Sequence, residues 1–336
     1  MTGVQGVKSL AGRSLMSIAD LSKAELIELL DCSIALKKAF KDSSSGIEKE
    51  QKLIGKSVAM IFQKRSTRTR VSTETGMGLL GGRALFLGPT DIQLGVNESM
   101  KDTAKVLSGF NSLLLARVND HADVEELKAE AHVPVINALS DLHHPLQTLA
   151  DLMTIQERFG KLEGLTFTWV GDGNNVLHDL MLGAAKLAIN LRIATPEGYR
   201  PDPAVTAMTE ALAKESGSSV LITADPKEAV TGAHVVATDT WVSMGQEEEA
   251  AKRIKDYEGY QASREGLLIP VCLRFVQVTD ELMSLAADDA IFMHCLPRHK
   301  EEVDDAVFYS ERSVVFPEAE NRMWTVMALM QSMLGM

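Results

Sequence analysis

The chain has 336 residues, of which 45% are hydrophobic and 24% are charged, a balance typical of a packed globular protein and not of a disordered chain. A formal charge of −12 argues against nucleic acid as a partner, and no apolar run approaches the ~18 residues of a membrane span. The three cysteines, Cys32, Cys272 and Cys295, are too few for a disulfide scaffold and fit a reducing compartment. The N-terminal residues lack an apolar signal core, which favours the cytoplasm, although a mitochondrial matrix protein in its mature form would look the same.

Short apolar runs alternate with amphipathic segments along most of the chain. This alternation predicts βαβ units and an α/β fold with parallel sheets covered by helices on both faces. Ten candidate strands are more than one such sheet usually holds, so we expect two doubly wound sheets, with residues 145–159 as a helix that joins them and 318–334 as a final helix. The strand candidates are 57–62, 84–87, 112–116, 133–137, 165–170, 191–194, 219–222, 234–238, 290–294 and 313–316.

A basic loop follows the first predicted strand. Four of the seven residues from Lys64 to Arg70 are cationic, in a chain that is acidic as a whole. The next residues form a helical pattern with Ser66 or Thr67 as its N-cap, and cations at a helix N-terminus are unfavourable unless an anion lies between them. Since ligands of parallel sheets bind at the carboxyl ends of strands, the loop predicts a phosphate site.

Two further motifs leave alternatives open. The turn from Gly171 to Val176 resembles a dinucleotide-binding G-x-G-x-x-G loop, but valine stands where the third glycine should be. Cys295, flanked by His294 and His299, could be a covalent nucleophile, part of a metal site or an inert buried thiol.

Seven motifs, taken together and in this order, resemble those of the aspartate and ornithine carbamoyltransferases. The resemblance runs from about Leu10 to the C-terminus, and the Ser-Met-Gly and His-Cys-Leu-Pro-Arg motifs point to the ornithine branch. The motifs span residues 66–70, 116–117, 141–147, 171–175, 239–245, 294–298 and 318–322.

The resemblance implies a reaction and a set of site residues. Carbamoyl phosphate and L-ornithine would give L-citrulline and phosphate, as in arginine biosynthesis and the urea cycle, without cofactor or metal. Cys295, Asp239, Arg117 and His144 would be catalytic, and ornithine would bind at Asn175, Asp239, Ser243 and Met244. The residues expected to bind carbamoyl phosphate are Ser66, Thr67, Arg68, Thr69, Arg117, His144, Gln147, Cys295, Leu296, Arg322 and, from a neighbouring subunit, Gln93. The family's Leu-Pro bond also implies that Leu296-Pro297 is cis.

The same resemblance implies an organisation for the whole protein. Residues 1–143, with the helix at 319–336 packed back on them, would bind carbamoyl phosphate, and residues 144–318 would bind ornithine. The active site would lie in a cleft between these domains, and the protein would be a homotrimer that works on small molecules, without nucleic acid or membrane.

Three other functions remain as alternatives. A carbamoyltransferase for another amine, such as putrescine, would not need the carboxylate-binding Asn175 and Ser243-Met244 loop. A nicotinamide oxidoreductase would leave the Arg68 loop and Cys295 unexplained, and an inactive homologue fits poorly because every matched position is intact. Residues 262–277 interrupt the family pattern, and we interpret them as an insertion that contributes neither ligand contacts nor much core.

Overall fold

The computed structural model describes residues 3–42, 51–92, 98–240, 277–299 and 302–336. The chain forms two compact units. The first unit consists of Met1–Gly160, His178–Gly183 and Ala319–Met336. The second unit consists of Lys161–Leu177 and Ala184–Glu318.

The first unit contains a four-stranded parallel sheet with the strand order β2-β1-β3-β4. Its strands are β1 (Ser57–Phe62), β2 (Arg83–Leu87), β3 (Leu113–Arg117) and β4 (Val135–Leu139). Its described helices up to residue 160 are α1 (Lys23–Asp42), α2 (Thr67–Leu79), α3 (Met100–Phe110), α4 (His121–Glu130) and α5 (Pro145–Phe159), with short 3₁₀ turns at Lys8–Leu10 and Ile18–Asp20.

The second unit contains a five-stranded parallel sheet with the strand order β7-β6-β5-β8-β9. Its strands are β5 (Thr166–Val170), β6 (Asn190–Ala194), β7 (Val220–Thr223), β8 (Val235–Thr238) and β9 (Ile291–His294). In the part of the chain that the structure describes, the helices that follow α5 are α6 (Asn175–Lys186), α7 (Pro203–Ser216), α8 (Pro226–Val230), α9 (Asp280–Met283), α10 (Asp305–Phe308) and α11 (Val315–Met333). The prediction of two parallel α/β sheets is therefore confirmed.

The burial of the central strands explains why their apolar runs were easy to recognise in the sequence. Every residue of β3 and β5 is buried, as is every residue of β1 after Ser57. Strands covered by helices on both faces need apolar side chains on both faces, which gives continuous apolar runs and not alternation. Edge strand β2 is only partly buried, with Arg83 and Leu85 exposed.

One predicted strand is wrong. Residues 313–316 were expected to form a strand, but Ser313 makes only an isolated bridge to Phe292, and α11 already begins at Val315. Two backbone hydrogen bonds join the segment to β9, from Phe292 N to Arg312 O and from Val314 N to Phe292 O. Pro317 cannot donate to a strand ladder but is well tolerated in the first turn of a helix, so the chain turns helical there.

The last helix completes the first unit. From residue 319 onward α11 belongs to that unit, and its residues from Thr325 to Met333 are buried. The N-terminal segment is hydrogen-bonded to its end, from Val7 N to Ser332 Oγ and from Gly12 N to Met333 O. Among the described helices, none is long and apolar enough to span a membrane.

Candidate active site

The basic loop after β1 opens helix α2. Ser66 is the N-cap, and its Oγ accepts a hydrogen bond of 3.3 Å from the backbone N–H of Thr69. The prediction of an N-cap at Ser66 or Thr67 is confirmed at Ser66. The first turn contains no acidic side chain, so the partial positive charge of the helix terminus and the guanidinium of Arg68 carry the same sign. That combination suits a dianion.

Arg70 does not share this position. Its guanidinium carbon lies 3.7 Å from the centre of the Phe86 ring, and its Nε lies 3.2 Å from Glu74 Oε1. Stacking on an aromatic face and an i,i+4 ion pair hold the side chain against β2 and α2. Only part of the basic motif is therefore directed to the strand end.

Four buried polar side chains lie near the ends of β3, α5 and α11 in the first unit: Arg117, His144, Gln147 and Arg322. Arg117 ends β3, and His144 is the residue before the first turn of α5. Burial and the nearby guanidiniums of Arg322, Arg117 and Arg68 hold the pKa of His144 well below its usual value of 6.5. The imidazole is therefore neutral at pH 7, with one N–H to donate.

Gln147 lies between a cation and an acid. Its Oε1 accepts a hydrogen bond from Arg322 Nη2, and its Nε2 donates one of 2.7 Å to Asp151 Oδ1. Asp151 stands one helical turn after Gln147 on α5 and is buried. The acid fixes which end of the amide faces the guanidinium.

A cavity of about 270 Å³ lies at the same edge of the first sheet, as expected for ligands of parallel sheets. Among the described residues, none of the predicted site residues lines it. The described part of its lining consists of Phe62, Gln63, Gly88, Pro89, Ile92 and Asn119.

In the second unit, Asp239 and Cys295 form a contact that the sheet register dictates. Thr238 on β8 pairs with His294 on β9, so the next residues along these two parallel strands leave the sheet side by side. The Cys295 thiol donates a hydrogen bond of 2.7 Å to Asp239 Oδ1. A thiol that donates to a carboxylate is protonated, and a thiolate beside that negative charge would be unfavourable.

Asp239 is buried and doubly engaged. Asn174 Nδ2 donates a hydrogen bond of 2.9 Å to its second oxygen, Oδ2. Burial raises the pKa of Asp239 above its ordinary 3.8, an effect opposed by the hydrogen bonds from the Cys295 thiol and from the backbone of Thr240. A cationic or amine ligand near this carboxylate would offset the cost of its burial.

The turn before α6 separates the roles of two adjacent asparagines. Asn174 Oδ1 accepts hydrogen bonds from the backbone N–H groups of Val176 and Leu177, at 3.1 and 3.2 Å, and so caps the helix. Asn175, the predicted ornithine ligand, is the first residue of α6. The structure thus brings Asn174, and not Asn175, into contact with Asp239.

The glycines of the same turn have a packing role. Gly173 donates its N–H to Tyr199 O at 2.8 Å, and a Cβ atom there would lie 2.2 Å from the backbone nitrogen of Pro201. A glycine is therefore required for two backbone segments to approach. Gly171 has a φ of +148°, which residues with side chains rarely adopt, so both glycines are explained without a dinucleotide.

The imidazole of His294 is held by hydrogen bonds to two partners. Its Nδ1 accepts a hydrogen bond of 2.9 Å from Leu296 N, so its Nε2 carries the proton that is donated at 3.0 Å to Glu302 Oε2. The ligand atoms of Asp239, His294 and Cys295 lie within 4.8 Å of one another, but both imidazole nitrogens are already engaged. This constellation suits a positioned loop better than a metal centre.

The loop after β9 has an unusual backbone. Leu296 has a φ of +61°, and the Leu296-Pro297 peptide bond is cis, as predicted. The hydrogen bond from Leu296 N to His294 holds this residue in its left-handed conformation.

Two family domains match the chain in succession. Residues 13–157 match the carbamoyl-P binding domain of aspartate/ornithine carbamoyltransferase, and residues 163–268 and 269–333 match its Asp/Orn binding domain. The chain belongs to the aspartate/ornithine carbamoyltransferase family.

Individual members of the family are similar over nearly their whole length. The chain is 52% identical to the mitochondrial ornithine transcarbamylase of Gallus gallus over 97% of this chain and 86% of that protein. It is 51% identical to the mitochondrial ornithine carbamoyltransferase of Aquarana catesbeiana, over 98% and 89%. The solved ornithine carbamoyltransferase of Pyrococcus furiosus is 45% identical, with a TM-score of 0.88 over 97% of this chain and 98% of that one.

Three predicted carbamoyltransferase site residues, Gln93, Ser243 and Met244, lie outside the described residues, as does all but the last residue of the insertion at 262–277. The structure adds three residues that sequence reasoning missed: Asp151, Asn174 and Glu302. For Asp151 a signal existed, because an acid one helical turn after a predicted ligand faces the same way. For Asn174 the partner, Asp239, is 65 residues away in the sequence. For Glu302 the contact with His294 depends on the path of the short loop between them.

Proposed function

We infer that this carbamoyltransferase transfers the carbamoyl group of carbamoyl phosphate to the δ-amine of L-ornithine, giving L-citrulline and phosphate. The observation that carries the inference is the contact between Cys295 and the buried carboxylate of Asp239. The carboxylate of this pair can accept a hydrogen bond from an amine in a position shielded from water. Both residues belong to motifs of the ornithine branch. The names of the relatives described above support the same substrate.

The first unit supplies the proposed carbamoyl phosphate residues. Ser66, Thr67, Arg68 and Thr69 would bind the phosphate through the N-terminus of α2 and one guanidinium. Arg117 and the neutral His144 would donate to the carbonyl oxygen, where negative charge develops during attack. Gln147 and Arg322, held against each other, would orient the carbamoyl group.

The second unit supplies the proposed ornithine residues. Asp239 and Cys295 would position the δ-amine, Asn175 would bind the carboxylate, and Ser243 and Met244 would complete the contacts. Leu296 would contribute its backbone carbonyl to the carbamoyl amide. In this proposal residues 1–143 and 319–336 bind carbamoyl phosphate, and residues 144–318 bind ornithine.

The chemistry needs no separate base. An amine with a pKa of ~10.4 requires about 4.6 kcal/mol to be neutral at pH 7, and desolvation lowers that requirement. The neutral nitrogen forms a bond to the carbamoyl carbon, and the bond from that carbon to the phosphate oxygen breaks. The departing phosphate accepts the proton that the nitrogen loses.

One assay tests the substrate. The purified chain is offered carbamoyl phosphate with ornithine, putrescine or aspartate in parallel, and the carbamoylated product is measured. Citrulline should form far faster than either other product. Comparable turnover of putrescine would overturn the inference.

Two further properties belong to this proposal. The family resemblance supports a homotrimer in which Gln93 reaches the phosphate site of a neighbouring subunit. The chicken, frog and fission yeast relatives are named as mitochondrial enzymes, which supports the mitochondrial matrix over the cytoplasm for this chain. Fractionation of cells that express the natural protein distinguishes the two compartments.

A further inference from the structure

Asn321 has no role in the function proposed above, yet it is fully buried beside Arg322. Its Oδ1 accepts a hydrogen bond of 2.8 Å from Lys37 Nζ. Its Nδ2 donates two of 2.9 Å, to Thr154 Oγ1 and to Glu157 Oε2. Both hydrogens of the amide are therefore used, and the side chain has one fixed orientation.

Lys37 and Glu157 close the network. Lys37 Nζ lies 2.8 and 2.7 Å from the two carboxylate oxygens of Glu157, so its ammonium has three acceptors for three hydrogens. The two side chains are only 17% and 28% exposed, and their charges cancel. The network thus joins α1, α5 and α11 through satisfied polar groups, which makes its geometry specific.

We propose that this network, through Lys37 and Asn321, positions Arg322 to bind carbamoyl phosphate; the proposal rests on the function inferred above. Gln147 and Thr154 are seven residues apart on α5, which places them on the same face two turns apart. Arg322 contacts the first and Asn321 contacts the second. The network therefore fixes the rotation of α11 about its axis, and with it the direction of the Arg322 guanidinium.

The chain offers a matched control on the same two helices. Lys41 on α1 forms an ion pair of 2.6 Å with Glu320 on α11, one turn beyond Lys37. This pair is 52% and 41% exposed. Exposed pairs contribute little to stability, so its loss should not rotate the helix.

The experiment compares Lys37→Met with Lys41→Met in the full chain. We expect Lys37→Met to raise the KM for carbamoyl phosphate about tenfold, which corresponds to about 1.4 kcal/mol. The KM for ornithine should stay close to that of the parent chain, and Lys37→Arg should recover most of the loss. Lys41→Met should leave both constants unchanged. An equal KM for carbamoyl phosphate in the two Met variants would overturn the proposal.

A second variant covers the case in which Lys37→Met does not fold. Thr154→Val keeps the side-chain volume and removes the acceptor for Asn321, together with the hydrogen bond that the hydroxyl donates to Ala150 O. It should raise the same KM about threefold. Thr209→Val is its control, because Thr209 is equally buried on a helix and its hydroxyl donates only to Val205 O, at 2.8 Å. Equal constants for these two variants would also overturn the proposal. Failure of the function itself is distinguishable, since the parent chain would then form no citrulline.

Discussion

At the scale of single residues, the protonated thiol of Cys295 decides between two mechanisms. A covalent mechanism needs a thiolate, which usually forms beside a cation or a base. Here the thiol donates to the buried carboxylate of Asp239, so ionisation would place two negative charges together. The geometry favours direct attack by the amine, with the thiol as a positioning group.

Replacing the thiol should therefore weaken catalysis without abolishing it. In Cys295→Ser the hydroxyl can still donate to Asp239, but the shorter C–O bond misplaces the contact. We expect kcat to fall by about 10²-fold and the KM for ornithine to rise. Steady-state kinetics measures both, and mass spectrometry of the parent chain during turnover should show no carbamoyl-cysteine. Detection of that adduct would contradict the prediction.

The negative charge of Asp239 should lower the stability of the protein but be required for its activity. Because burial raises its pKa, the folded state binds more protons than the unfolded state above pH 3.8, and stability is lost as pH rises from there through the raised pKa. In Asp239→Asn this loss is absent. The melting temperature of the variant, relative to the parent, should thus increase between pH 4 and pH 7, while citrulline formation is nearly eliminated.

Thermal melts of both proteins across that range measure the difference, in which the titrating groups that do not interact with Asp239 cancel. A difference that stays flat or falls as pH rises would contradict the sign of the Asp239 shift.

Whether the sequence could predict a site residue depends on what fixes its contacts: a local pattern, or a partner elsewhere in the chain. Asp239 and Cys295 follow neighbouring parallel strands, where ligands of parallel sheets bind, but the resemblance to the carbamoyltransferases was needed to assign them to the site. The contact of Asn174 with Asp239 depends on which of two adjacent asparagines caps α6, and both residue types fit either role. The partnership of His294 with Glu302 depends on the path of the loop between them, for which no local pattern exists.

At the scale of elements, the turn between β5 and α6 is shaped by packing against residues 199–201. The sequence suggested a nucleotide loop because glycine spacing is the same in both cases. Local pattern also placed residues 313–316 in a strand, since Val314, Val315 and Phe316 favour β structure. Instead, the following Pro317 and the hydrogen bonds to β9 make the chain turn helical after Val314. A strand propensity summed over four residues takes neither of them into account.

Gly173→Ala tests the packing role of that turn. The added methyl group would meet the backbone of Arg200 and Pro201, which cannot move as a flexible side chain can. We expect the free energy of unfolding to fall by about 1–3 kcal/mol, together with a rise in the KM for ornithine. Gly109→Ala is the control, because Gly109 is exposed near the end of α3 with no atom within 4 Å of an added Cβ.

The control should gain about 0.5–1 kcal/mol, as alanine restricts the unfolded chain more than glycine does. Denaturant titration measures both variants. Equal stability of the two would show that the close approach at Gly173 is not required.

At the scale of the whole molecule, the proposed trimer predicts complementation between two inactive proteins. Arg68→Gly lacks the phosphate guanidinium, and Gln93→Ala lacks the group contributed to a neighbour. When equal amounts are unfolded and reassembled together, about a quarter of the sites should contain both native residues and recover activity. Sedimentation should show a species three times the chain mass of 36.6 kDa. A fully active monomer would contradict both expectations.

The order in which the chain is synthesised affects when the first unit can finish folding. That unit needs Ala319–Met336, whose residues Val326, Leu329 and Met330 are completely shielded from solvent in the finished protein. At ~5–20 residues per second, roughly 10–35 s pass between the synthesis of residue 160 and that of residue 336. Throughout that interval the apolar surface that α11 will cover stays exposed on the nascent chain, and the second unit, which ends at Glu318, is itself complete only shortly before α11. The unit whose sheet is made first is therefore completed last, and a chaperone that masks apolar surface should bind the nascent protein until residue 336 has been made.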